Sequence, residues 1–191
     1  MGDDSGRDLH LPSGGATTAA AIVMHPHPAM GGDRHHPLMV ALANGLSAAG
    51  VATLRLDLRD PRVTTAADAL ARAAADALAR EAADLRADVR VDRMLLVGYS
   101  GGSAVVAHTT LDALSARVLV APPVAMLDLP AQTEPTLVLV PAHDQYGPPD
   151  QVQAALEGWP DATIEVVDGC DHFLAGAIGR ITSRAVDWLT A

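Results

Sequence analysis

The sequence predicts an α/β fold in three layers. It has a mostly parallel sheet of about six strands with helices on both faces. Three observations predict it. Short apolar runs alternate with segments of helical spacing along the chain. The first run, Ala19–Met24, is apolar on both faces, as a strand buried in a parallel sheet must be. The stretch from Met94 to Ala107 passes from an apolar run through Gly-Tyr-Ser-Gly-Gly into a small-residue segment, which reads as strand, sharp turn and helix.

Taken in order, residues 1–15 are polar and glycine-containing, a short N-terminal extension with room for an edge strand at Asp8–Leu11. Residues 16–191 are expected to form one domain. Ala19–Met24 is the first confident strand, and His25-Pro26-His27-Pro28-Ala29-Met30-Gly31-Gly32 follows as a rigid loop in which proline forbids helix. From Arg34 to Ala49 the spacing of Leu38, Leu42 and Leu46 is helical, and Gly50 stops it. Val51–Leu56 is the second strand and leads into a charged loop, Asp57–Arg62. Thr65-Ala66-Ala67-Asp68 reads as a capping box for an alanine-rich helix that runs to Asp88. Arg93–Val97 is the third strand. The helix after Ser100 is expected to extend to Leu114. Further strands are read at Ala116–Ala121, Thr136–Val140 and Thr163–Val167, with helices ending near Glu157 and covering Ala175–Leu189.

Composition narrows the chemistry. Aromatic residues make up 3% of the 191 residues, so the core must be built from Ala, Val, Leu and Ile. The net charge of −10, with no clustered basic face, argues against a nucleic-acid partner. All 13 basic residues are arginine, which excludes a Walker-type phosphate lysine and a lysine Schiff base. Cys170 is alone, so no intramolecular disulfide and no cysteine-based zinc site is expected. No stretch is long and apolar enough to span a bilayer, and Met1–Ser5 carries no apolar signal core. These features point to a cytoplasmic protein with no membrane partner.

The turn Gly98-Tyr99-Ser100-Gly101-Gly102 fits G-x-S-x-G, the nucleophile elbow. The competing reading is an ordinary strand-to-helix turn whose serine caps the helix. A serine hydroxyl is a weak nucleophile. It needs a base to take its proton, and the base needs an orienting acid. Asp144 follows the fifth strand and His172 the sixth, so Ser100, Asp144 and His172 all fall at the C-terminal ends of parallel strands, where α/β sites form. Asp144 also has the position of a turn acid. Asp171 competes with it by sequence proximity to His172.

These stretches together resemble the α/β-hydrolase superfamily. The likeness is to small lidless bacterial serine hydrolases of dienelactone-hydrolase-like or carboxylesterase-like type. The HPHP-x-x-GG loop at residues 25–32, the elbow at 98–102, the acid loop at 143–149 and Cys170-Asp171-His172-Phe173 carry it, in order and across nearly the whole chain. The resemblance implies that the first and third predicted strands are neighbours. It also implies an oxyanion hole with one donor at the Gly101 amide and the other in the HPHP loop. Pro26 and Pro28 have no N–H, so Ala29 is the choice and Met30 the runner-up. The connector Pro122–Pro135 is too short for a lid domain. Asp57–Arg62 departs from the glycine- and serine-containing loop of relatives, so the substrate is expected to differ.

The implied activity is hydrolysis of a small carboxylic ester or thioester through an acyl-Ser100 intermediate, with no cofactor and no metal. Acyl transfer or cyclisation by the same triad, and a non-catalytic binding protein on this fold, are the alternatives. Met30, Arg34, Arg59, Tyr99 and Tyr146 are the candidate substrate-lining residues. Arg34 and Arg59 would meet a substrate carboxylate, with plain surface solvation as the competing role. His25, His27, His35 and His36 straddle prolines or point apart, which does not suit a zinc site. Oligomeric state is not legible.

Overall fold

The computed structural model describes residues 6–14, 17–57 and 79–191. Its strands are β1 (Arg7–His10), β2 (Ala19–Met24), β3 (Ala52–Leu56), β4 (Arg93–Tyr99), β5 (Leu114–Val120), β6 (Thr136–His143) and β7 (Ala162–Asp171). The helices are α1 (Pro37–Ala48), α2 (described over residues 79–89), α3 (Gly101–His108), α4 (Pro149–Ala155) and α5 (Ile178–Thr190). Among the described residues the sheet has seven strands in the order β1-β3-β2-β4-β5-β6-β7. β1 pairs antiparallel with β3 and the other pairings are parallel.

The apolar runs are explained by what lies on each side. Side chains alternate across a strand. Along β4, Leu95, Val97 and Tyr99 enter one core with Leu38, Leu42 and Leu46 of α1 and Ile181, Ala185 and Leu189 of α5. Met94 and Leu96 enter the other, with Ala82 and Leu85 of α2, Val105 and Val106 of α3, and Val152 of α4. β2 splits in the same way, Ala21 and Val23 to one side and Ile22 and Met24 to the other. Both faces are covered, so both must be apolar. The expected neighbourhood of the first and third predicted strands holds, since β2 lies directly against β4 from Ala19↔Arg93 to Met24↔Gly98.

Several elements differ from the sequence-based expectation, each for a local reason. The edge strand expected at Asp8–Leu11 is present one residue earlier as β1, in register Asp8↔Arg55 and Leu9↔Leu54, and raises the sheet from about six strands to seven. The HPHP loop contains one 3-10 turn, Pro28–Met30. Proline at the first helical position loses nothing by lacking an N–H, and His27 Nδ1 caps the turn by accepting from the Ala29 amide at 3.1 Å. α1 starts at Pro37, not Arg34, with the His36 ring accepting from the Leu38 amide at 3.2 Å. α3 stops at His108 rather than Leu114, because Thr109 turns extended and its hydroxyl bonds back to the Val105 carbonyl at 2.7 Å. Leu114 is instead the first residue of β5. β6 and β7 run past their expected ends through a register shift between Pro141 and His143, which brings His143 opposite Asp171. Asp168 therefore lies on β7. The capping box Thr65–Asp68 lies outside the described residues, as does the Leu58–Arg62 part of the charged loop.

Candidate active site

The elbow is built by backbone crowding. Ser100 sits between β4 and α3 with φ 52 and ψ −120. A non-glycine residue at positive φ costs about 1–3 kcal/mol and persists only where its surroundings over-determine it. Here they do. A Cβ at Gly98 would overlap the Gly102 carbonyl, and one at Gly102 would overlap the Met24 carbonyl of the adjacent strand. Backbone therefore packs on backbone on both sides of the serine. The Ser100 amide donates to the Val120 carbonyl at 2.9 Å. Ser103 Oγ contacts the carbonyls of Gly98 and Val120 at 2.8 and 2.9 Å, fastening α3 beneath the turn.

The Ser100 hydroxyl does not cap α3. It lies 2.9 Å from Nε2 of His172. On the other side of the ring, Nδ1 of His172 is 2.9 Å from Oδ1 and 2.8 Å from Oδ2 of Asp144. All three residues are buried, at 8%, 4% and 3% exposure. Asp144 is also the turn acid that the sequence allowed, since Oδ1 accepts from the amides of Tyr146 at 2.8 Å and Gly147 at 3.1 Å. Those two bonds lock the carboxylate toward the imidazole. Asp171, the competitor, is used elsewhere, where its Oδ1 accepts from the Phe173 amide at 3.0 Å.

Aromatic side chains surround the imidazole. Tyr146 meets it edge-on with ring centroids 4.7 Å apart, Phe173 at 5.7 Å and Tyr99 at 5.9 Å. The chain has two tyrosines, two tryptophans and one phenylalanine, so three of its five aromatic residues are spent on this one ring. Tyr99 lies behind His172, only 3% exposed, and its hydroxyl donates to the His172 carbonyl at 2.8 Å. That position supports the histidine and does not face an approaching ligand. Met30 and Phe173 are exposed apolar residues of the loops here, at 56% and 53%.

The Ala29 amide, the donor expected from the HPHP loop, is engaged within that loop. That amide is committed to His27 Nδ1, and the Met30 amide donates to the His27 carbonyl at 2.8 Å. The backbone nitrogen of His27 comes instead against Gly101, 3.1 Å from where a Cβ on that glycine would stand. His27 is the one residue between the two prolines with an N–H to give.

Arg34 is not free for a substrate carboxylate. Its guanidinium bonds to Asp57 and, at 3.1 Å, to Asp8. Arg59 lies outside the described residues. His25 is buried, with Nδ1 2.6 Å from the Pro26 carbonyl, and burial pushes its pKa down against that bond. Burial likewise pushes up the pKa of the Cys170 thiol, which packs against the Val167 carbonyl at 3.4 Å. Among the described residues, no three His, Cys, Asp or Glu side chains gather as a metal would require. No helix among them is long and apolar enough to cross a membrane.

No protein-family model matches the chain, and no curated protein does. Solved structures do. A homologue of α/β serine hydrolases from Coxiella burnetii superposes with a TM-score of 0.78 at 23% identity, covering 96% of this chain and 90% of that one. A lidless α/β serine hydrolase from Xanthomonas campestris gives 0.76 at 22% identity, covering 95% and 86%. Est1E from Butyrivibrio proteoclasticus gives 0.75 at 15% identity, covering 96% and 92%. With this sheet order, the elbow at its centre and no lid domain among the described residues, the chain has the compact α/β-hydrolase fold.

Proposed function

We propose that the protein is a serine hydrolase that cleaves a small carboxylic ester or thioester through an acyl-serine intermediate. The observation that carries this reading is the continuous line Ser100 Oγ, His172 Nε2, His172 Nδ1, Asp144, with each step at 2.8–2.9 Å. With the ring proton on Nδ1 donated to Asp144, Nε2 is left to accept the serine proton. Ser100 Oγ adds to the carbonyl carbon as its proton passes to Nε2. The tetrahedral intermediate collapses and His172 returns the proton to the leaving alcohol or thiol. Water then adds to the acyl-serine with His172 again as base, releasing the acid and restoring Ser100. Asp144 fixes the tautomer and steadies the imidazolium.

The developing oxyanion is received by the amide of Gly101 and that of His27, in place of Ala29. The N-terminal end of α3 adds its dipole to the Gly101 donor. Tyr146, Met30 and Phe173 border the substrate, and their apolar surfaces suit an uncharged ester. Tyr99 holds the histidine from behind.

The test is a fluorophosphonate probe followed by peptide mapping. Stoichiometric labelling of Ser100, lost in Ser100→Ala together with hydrolysis of p-nitrophenyl esters, is the expected result. Absence of labelling in folded protein, or labelling elsewhere, overturns the reading.

A further inference from the structure

Arg34 has more bonds than a surface arginine needs. Its amide donates to Asp57 Oδ1 at 2.7 Å. Its guanidinium bonds to Asp57 Oδ2, and its Nε to Asp8 Oδ2 at 3.1 Å. Its carbonyl accepts from Arg55 at 2.7 Å, and a second nitrogen of Arg55 reaches Asp8 Oδ2 at 3.1 Å. Two arginines and two aspartates thus tie main chain and side chain of residue 34 to β1, β3 and the residue just after β3. Most of the arginine surface is covered, with 17% of the Arg34 side chain and 9% of the Arg55 side chain exposed. Burying charge in this way stabilises little in net terms and is weak evidence for stability alone. What it does supply is a fixed position.

That position bears on the loop before it. Gly32, two residues earlier, packs on the Pro26 carbonyl so closely that a Cβ would overlap it. The amides of Met30 and Gly32 both donate to the His27 carbonyl, at 2.8 and 3.3 Å. The loop is therefore closed on itself from Pro26 to Gly32, and moving either end moves His27, whose nitrogen lies against Gly101.

We propose that Arg34 is a positioning residue. Clamped by Asp57 and Asp8, it holds the Pro26–Gly32 loop so that the His27 amide stays aimed at the carbonyl oxygen that becomes negative in the reaction. The proposal rests on the serine-hydrolase reading above. An oxyanion amide works because it is already in place when charge develops. Loosening the far end of its loop costs rate without touching the nucleophile, the base or the acid.

The experiment compares Arg34→Met, Arg34→Lys and Asp57→Asn with wild type on an oxygen ester and on the matching thionoester, in which sulfur replaces the carbonyl oxygen. Arg184→Met, which breaks a distant pair with Glu165, is the control. Loss of a whole oxyanion donor costs about 10²–10³ in rate, so a loosened donor should lower kcat on the oxygen ester by roughly 10–100-fold. KM should hold within about two-fold, since such a donor acts mainly on the transition state. The thionoester, which gains little from the amide, should lose much less, so discrimination between the two substrates narrows. Arg34→Lys should recover part of it and Arg184→Met should change nothing. Unchanged kcat and discrimination in Arg34→Met and Asp57→Asn, equal losses on both substrates, or a rise in KM alone overturns the proposal. So does failure of both variants to fold, which makes the clamp a folding element. Ester hydrolysis that survives Ser100→Ala overturns the serine-hydrolase reading instead.

Discussion

The hydroxyl of Tyr99 donates to the backbone carbonyl of His172 across 2.8 Å, so the residue just before Ser100 holds the loop that carries the imidazole. Burial first, and then the nearby charges of Asp144 and Asp171, push the phenol pKa far up, which keeps this group a donor. Tyr99→Phe removes the bond and leaves a carbonyl short of a partner. A loss of about 1–2 kcal/mol in stability is expected, together with a lower kcat at nearly unchanged KM. Thermal melts and ester kinetics on the same preparation check both.

Asp144→Asn separates orientation from folding. The amide oxygen can still accept from Tyr146 and Gly147, so the turn should persist. The amide nitrogen facing Nδ1 favours the wrong imidazole tautomer, and a rate loss of about 10⁴ is expected. Burst kinetics with a p-nitrophenyl ester would show slowed acylation, while circular dichroism should match wild type.

Stability should fall on the acid side of neutrality. Burial pushes the pKa values of both His25 and His36 down, against the pull of Asp33 on each and, at His25, of the Pro26 carbonyl and Asp57. Their folded values thus lie below the unfolded value of about 6.5. The unfolded chain takes up these protons first, so the stabilisation is fully present above that value and is lost as pH falls toward the folded values. His36 adds a direct cause, because its ring must be unprotonated to accept from the Leu38 amide. Melting temperature measured from pH 8 down to 5 should decline below about 6.5. The decline should be shallower in His36→Asn, which caps without titrating.

Two glycines should respond in opposite senses to alanine. Gly179 in α5 has nothing within 4 Å of an added Cβ, so Gly179→Ala is expected to stabilise by about 0.5–1 kcal/mol. Gly102→Ala places its Cβ into the main chain of Met24 and His25, where nothing can yield, and should cost the elbow and the fold's yield. Denaturant titration of both variants reads the contrast.

Much of the sheet and of the candidate site was legible from short runs and strand ends. β2 matches its apolar run residue for residue, because burial on both faces leaves little choice of side chain. Ser100, Asp144 and His172 could be picked out from strand ends and chain order. What escaped was set partly by contacts distant in sequence and partly by side chains that bond to nearby backbone. Arg34 reads as a surface arginine until β1 and β3 bring Asp8 and Asp57 to it. Tyr99 reads as a cleft residue until the β7 loop closes over it. The end of α3 depended on one threonine hydroxyl bonding backward to Val105, an event that apolar spacing does not record. That the Ala29 N–H is taken by the His27 ring was equally hidden from the sequence.

The strand order has a further consequence. On one flank of β4, the strands β5, β6 and β7 lead to Asp144 and His172. On the other, β2, β3 and β1 lead to His27, Arg34, Asp57 and Asp8. In the proposed mechanism the first flank manages protons and the second manages charge on oxygen, and they meet only at Ser100 and Gly101. Defects on opposite flanks should therefore multiply in rate, as independent faults do, while defects on the same flank should overlap. The protein would behave under mutation as two devices sharing one hinge point.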